Sequence, residues 1–284
     1  MNKEIVAVDP REEAKLSAML GASTTPNTNN ERLPKLKANQ DRKDEAGNAL
    51  PIGHLFLANT DTPVYAEKVT VRPLSQMFQW IKYDPVAKGV DNKTILIPNF
   101  RCEALDMKGG TRCGKPTSKE LKLASEEIKK KHENTTCFRE VRALISYTGK
   151  NATGDTVTVE PTPAILMLKG TNFNPFEDEY LKRLPHGSNL YDYDAEVTAE
   201  ELKNGSVYYY VMHFKPNLAK ALPLDTPTFE TMKVFAGLIE TENNLVTSMH
   251  QKALRTSQSD TDALRAVNGY HSSTASLEDE LQDS

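Results

Sequence analysis

The chain has 284 residues, with 35 Lys+Arg against 39 Asp+Glu, 38% hydrophobic and 26% charged residues. That composition supports a folded core of one or two domains and excludes a wholly disordered chain. The longest apolar runs, 164–168 and 207–212, fall far short of the roughly 20 residues that span a bilayer, and the opening MNKEI starts no apolar signal core, so the sequence predicts a cytosolic protein.

The charges are unevenly placed. Residues 29–150 hold 22 Lys+Arg and 15 Asp+Glu, residues 151–255 hold 9 and 14, and residues 256–284 hold one arginine against six acids. A basic stretch joined to an acidic tail fits a polyanion-binding body with a detachable competitor, whereas an ordinary scattered surface is the plainer explanation. Three cysteines make no disulfide framework and point to free thiols or metal ligands.

In chain order, residues 1–50 read as a flexible basic lead-in, with a short helical stripe at 10–20 and a polar linker at 21–30. From 51 to 225 the pattern is strand-like. Strands are predicted at 52–58, 64–73, 77–83, 94–97 and 138–147, then a hairpin of 156–159 and 164–168 across 161–163, and a late strand at 206–214. Short strands with turn chemistry between them favour an antiparallel barrel or sandwich over a βαβ fold. A helix is expected at 118–133, opened by Thr117 and Glu120 at capping-box spacing. A second, at 226–255, opens at Thr226-Pro227 and carries an apolar stripe through Met232, Phe235, Ile239, Val246 and Met249. Residues 256–284 read as a disordered acidic tail.

An excursion at 99–137 contains every cysteine. Cys102, Cys113, His132 and Cys137 bring together the ligand types that tetrahedral zinc prefers, beside Gly109, Gly110 and Gly114. Four protein ligands would make a closed, structural Zn2+ site; three buried thiols and a surface histidine are the alternative. The stretch 101–116 resembles the first half of small treble-clef or ribbon-like zinc elements, but here the histidine precedes the last cysteine.

Binding a single strand takes cations along the phosphates and flat side chains under the bases. The strand-like stretch 65–147 supplies Tyr65, Trp80, Tyr83 and Tyr147 among Lys68, Arg72, Lys82, Arg101, Arg139 and Arg142. For Trp80, the one tryptophan, the interior competes with stacking, since aromatics also fill barrels. Phosphate-binding GxxxxGKS/T, GxSxG, HExxH and GxGxxG motifs are missing, and the acids at 177–179 suit the start of a helix, so the chain reads as a non-enzyme.

A β-rich body with a Cys/His excursion, a basic aromatic-bearing surface and an acidic tail, over roughly residues 50–284, resembles the phage-type single-stranded DNA-binding proteins of the replication machinery. The resemblance implies an OB-like antiparallel barrel in a mainly β, α+β chain. It also implies coating of single-stranded DNA with little sequence preference and recruitment of polymerase or helicase through the tail; a homo-oligomer is left open by the sequence. The last residues, LQDS, lack the terminal phenylalanine that many such tails carry. The alternative from another class is a non-enzymatic protein-interaction protein, a phage transcription cofactor or assembly component.

Overall fold

The longest strand shows how the sheet is made. The structure, a computed structural model, describes residues 33–43, 47, 49–113 and 118–279, with the backbone alone described at 112–113, 118, 131 and 257–279. Of the lead-in expected over 1–50, residues 1–32 lie outside the described residues. In β3 (Lys68–Asp84) the buried Val69 and Val71 alternate with the exposed Lys68 and Thr70, the period of two that a half-buried strand imposes. Pro73 has no amide hydrogen for a ladder, and the pairing slips between Pro73 and Ser75. This bulge bends the strand without ending it, and Phe78 and Trp80 continue its buried side. The two strands expected at 64–73 and 77–83 are therefore one, from Lys68 onward.

β7 (Thr135–Lys150) lies antiparallel beside β3, and β8 (Thr156–Leu168) lies antiparallel beside β7. The hairpin expected across 161–163 is instead one continuous strand. Its register against β7 shifts between Ile145 and Tyr147, which leaves Glu160 and Pro161 together opposite Ser146 and places the first proline where no ladder bond is needed. With β1 (Lys35–Ala38), β2 (Leu55–Ala58), β4 (Gly89–Lys93), β9 (Ala195–Asn204) and β10 (Val207–Pro216), the sheet runs β10-β9-β3-β7-β8-β1-β2, with β4 added to β3. Among the described strands, only β1 and β8 pair in parallel. The sheet curls into a half-barrel, and the molecule is mainly β with a C-terminal helix. β1 belongs to this sheet although composition assigns it to the lead-in.

The hollow of the half-barrel holds the main core, built from Leu55, Val71, Val141, Ile145, Leu166 and their neighbours. Its open side is plugged by residues 170–192, a run of short 3-10 turns around one π-helical turn at Phe176–Tyr180. Phe176 and Tyr180 are fully buried there. The plug also caps the bare edge of β10, which would otherwise invite another chain. Asn172 donates from Nδ2 to the Tyr210 carbonyl (3.0 Å) and accepts the Met212 amide on Oδ1 (2.6 Å), and Glu179 Oε2 accepts the Phe214 amide (2.8 Å). The sequence reading missed β9, whose AEVTAEELKN carries three glutamates. It forms because the Gly205-Ser206 turn, with Gly205 at φ 61°, folds it back on the β-prone β10.

His213 locks the plug to this hairpin, with Nδ1 2.9 Å from Glu179 Oε1 and Nε2 3.0 Å from Glu200 Oε2. Burial lowers the imidazole pKa, but the hydrogen bonds and charges of the two carboxylates outweigh it and raise it above 6.5. The stabilisation from the imidazolium is therefore complete below that value and is lost as pH rises through the raised folded value. In urea titrations, the stability gap between wild type and His213→Gln should be widest near about pH 5.5 and narrow toward about pH 8.5, staying under about 1 kcal/mol because the clamp is partly solvated. An equal gap at both ends would mean that charge plays no part.

The excursion differs from expectation. The helix expected at 118–133 is two, α1 (Ser118–Leu123) and α2 (Glu126–His132), because Ser125 stops the first and caps the second, its Oγ accepting the Ile128 amide at 3.4 Å. Before them, β5 (Glu103–Leu105) and β6 (Thr111–Cys113) form a separate two-stranded ribbon. The last helix, α3, runs Thr226–Asp279. Its cap is Asp225, whose Oδ1 accepts the Thr228 amide at 2.9 Å, so Thr226 is the first helical residue rather than the cap. The helix continues through the segment whose composition marks a disordered tail, up to Asp279. Among the described residues, no helix is long and apolar enough to cross a membrane.

Candidate nucleic-acid interface

The residues expected to meet a nucleic acid divide into three groups. Tyr65, Trp80, Tyr147 and Arg139 are core residues in this fold. The Tyr65 ring packs on Phe56 with centroids 5.1 Å apart. The Tyr147 hydroxyl donates to the Val64 carbonyl (3.1 Å) and accepts the Leu57 amide (3.3 Å), fastening β2 to the chain that follows it. Arg139 points into the hollow and is enclosed by Phe78, Phe173 and Phe176. Rings and a guanidinium enclosed in this way present no free face to a base.

A second group lies on the outer face of the sheet, where α3 covers it. Arg72 donates from Nε to the Tyr191 carbonyl (2.9 Å), from Nη2 to the Pro223 carbonyl (2.8 Å) and from Nη1 to Thr228 Oγ1 (3.3 Å), so it binds the helix entry to the sheet. Arg142 pairs with Glu140 at 2.5 Å and faces Glu242 of α3 at 4.0 Å. Glu242 Oε1 also accepts Lys93 Nζ (2.7 Å) and Gln79 Nε2 (2.9 Å). Farther along, Asn243 brackets the Leu96 amide (2.7 Å) and carbonyl (3.1 Å), and His250 Nδ1 lies 2.9 Å from the Asp106 carbonyl.

The electrostatics of this seam follow from burial and charge together. Burial pushes Glu140 up to about 7, with the Arg142 guanidinium offsetting only part of the cost. Burial pushes Glu242 the same way, but the hydrogen bonds from Lys93 and Gln79 and the charges of Lys93 and Arg142 outweigh it and hold that carboxyl below its usual range. Sequence reasoning missed Lys93, Gln79 and Glu242 as one group. A signal was present: Glu242 and His250 fall on the same helical spacing as Phe235, Ile239 and Val246, and a charge inside an apolar stripe calls for a buried partner.

The third group remains open to solvent. Lys82 and Tyr83 end β3 at the tip of the β3–β4 hairpin, where the Tyr83 amide donates to the Asn134 carbonyl at 3.0 Å. That bond sets the exposed Tyr83 beside the end of α2. A groove of about 710 Å³ runs between α1 and α2, lined by Leu121, Lys122, Lys129, Lys130, His132 and two glutamates, Glu126 and Glu133. Lys129 is paired to Glu126 at 2.7 Å. Val86 on the hairpin and Leu123 on α1 are 89% and 84% exposed. Lys68 does not join this end. It starts β3, roughly 45 Å of extended strand from Lys82, and pairs with Glu196 at 2.7 Å. Arg101 is exposed and lies over the Phe100 ring, 5.6 Å from its centroid.

Of the four residues expected to hold zinc, Cys102 is exposed at the foot of β5, and Cys113 ends β6 opposite Glu103. Cys137 is half-buried on β7 beside Phe78 and Ile97, and His132 ends α2. Among the described residues no group of three or more His, Cys, Asp or Glu side chains is placed to hold a metal ion, and the Cys113 side chain lies outside them. No protein-family model, characterised protein or solved structure matches the chain.

Proposed function

We propose that this protein binds single-stranded nucleic acid with little sequence preference, as a replication- or recombination-type single-stranded DNA-binding protein. Its half-barrel is read as an OB-like body, and its C-terminal acidic stretch as a contact for polymerase or helicase. The observation that carries the reading is the exposed ring of Tyr83, next to Lys82, whose backbone is tied to Asn134 just past the helix that supplies Lys129 and Lys130 to a groove also lined by Lys122. A ring that can stack beside cations that can follow phosphates is the minimum such binding needs, and it reads no base edges.

The test is binding of an oligo(dT) by fluorescence anisotropy across a salt series. Tyr83→Ala should weaken binding by about 5- to 100-fold, the cost of removing one ring from under a base. Replacing Lys122, Lys129 and Lys130 by alanine should flatten the salt slope by about 2, at roughly 0.7 for each phosphate no longer neutralised. Unchanged affinity in folded variants would remove this end of the molecule from the interface.

A second reading rests on Val86 and Leu123, apolar side chains more exposed than any folded core would leave them. On that reading the same end docks a protein. Capture would then resist salt and fail in Val86→Ser and Leu123→Ser, while oligo(dT) binding would be absent.

A further inference from the structure

We infer that the outer face of the sheet beneath α3 is a second phosphate-binding surface, and that Glu242 occupies it as an internal stand-in for a nucleic-acid phosphate. The inference rests on the proposed function for its ligand class, the phosphodiester backbone of a single strand.

The cradle is built for an oxyanion. Lys93 and Gln79 both donate to Glu242 Oε1, and Arg142 faces Oε2 from 4.0 Å. Arg142 is 3% exposed, yet its Nε and Nη1 have no hydrogen-bond partner among the described residues. Buried guanidinium hydrogens are costly when unpaired. The guanidinium atom nearest Glu242 is Nη2, shared with Glu140, and at 4.0 Å the Glu242 carboxylate stays beyond hydrogen-bond reach of it, whereas a phosphodiester, with its non-bridging oxygens spread more widely, could reach both Lys93 and Arg142. Lys35 adds a further positive charge near the cluster, and Glu140 is a second carboxylate there, paired to Arg142. Without Glu242 the face is therefore cationic.

The covering helix is held in a way that permits release. Its seam has a polar part, through Thr228, Glu242, Asn243 and His250, beside an apolar one of the fully buried Phe235 and Val246 and the half-buried Met232, Leu238 and Ile239. Exchanging polar contacts for solvent and phosphate costs far less than exposing an apolar interface. Strand binding and helix docking thus compete for the same donors.

Two substitutions that break the same ion pair separate competition from mere support. Glu242→Gln removes the competing charge and leaves the cations, so oligo(dT) binding by the full chain should tighten by about fivefold at low salt. Lys93→Gln breaks the same pair but removes a phosphate donor, so it should not tighten binding. Hydrogen exchange supplies the direct readout: adding oligo(dT) to wild type should speed exchange of amides in 228–256. The latch is overturned if wild type binds while both variants shift affinity in the same direction, or if α3 stays equally protected in the complex. Those results leave the Tyr83 end intact as an interface. Binding by Glu242→Gln alone, with none by wild type, supports the latch, and binding by none of the three overturns both proposals.

Discussion

Replacing Gly149 by alanine should lower stability by about 3 kcal/mol, which for a body of this size moves the melting temperature by roughly 10 °C. An ideal Cβ at this position would lie 2.3 Å from the Tyr65 carbonyl oxygen and 2.8 Å from its carbonyl carbon. Both obstacles are backbone, so the clash cannot be relieved by turning a side chain. The strand must retreat, and the reciprocal bonds between Tyr65 and Lys150 (2.8 and 2.9 Å) go with it. Those bonds hold the chain between β2 and β3 against the end of β7, next to the Leu55–Ala66 bridge and the Tyr147 hydroxyl. Gly154→Ala is the control. Its φ of 90° is strained for alanine but no atom lies within 4 Å, so only about 1 kcal/mol should be lost. Urea midpoints decide the matter, and equal losses in the two variants would refute the close-approach argument.

The strands were legible where side-chain alternation and β-propensity agree. β10 and most of β7 stand in the sequence as SVYYYVMHF and FREVRALISY, and the structure places a strand over each, with β7 extended by about three residues at both ends. Proline misled the reading twice. Pro73 and Pro161 look like strand breakers, and in this sheet each sits at a register shift that accommodates the missing donor. β9 and the plug were invisible for a different reason. A strand of AEVTAEELKN and a π-helical turn at Phe176–Tyr180 have no strong local preference, and both are held by distant partners such as Asn172, Glu179 and His213. The extent of α3 was obscured by composition, because Ser, Thr and Asp after residue 255 read as disorder while the backbone stays helical.

The candidate site shows the limit of reading cations and rings from sequence alone. Strand alternation says that Arg139 and Arg142 lie on opposite-facing positions from their immediate neighbours, but not which side a helix covers. Arg142 faces outward and Arg139 inward, and both end up buried because α3 closes one face and the plug the other. Tyr83 is exposed and Lys82 half-buried, at a hairpin tip. Position along a strand, rather than residue type, decides which of the candidates remains available to a ligand.

Arg139→Ala should cost about 4 kcal/mol, within the range for truncating a large, fully buried side chain to alanine. The side chain is fully enclosed, with Cζ 4.8 Å from the Phe173 ring centroid, 5.2 Å from that of Phe78 and 5.7 Å from that of Phe176. Nη1 donates to Gln76 Oε1 at 2.8 Å and Nη2 to Glu177 Oε2 at 2.6 Å. Alanine forfeits both bonds and leaves a space among three rings that a small methyl cannot fill. Glu177 is 44% exposed, so its carboxylate can return to water, and the loss falls mainly on packing rather than on an orphaned charge. Arg139→Met refills the space without the fork and should therefore cost less than half as much as alanine. Arg139→Lys keeps the charge but not the planar donors, and should resemble alanine more than methionine. Because Phe173, Phe176 and Glu177 all belong to the plug, the first effect should be local. Amides of 172–180 should exchange faster in Arg139→Ala before the sheet itself melts, and the β10 edge that Asn172 and Glu179 cover should follow them. If Arg139→Met is as damaging as Arg139→Ala, or if the plug stays as protected as in wild type, the arginine is not the residue that joins it to β7.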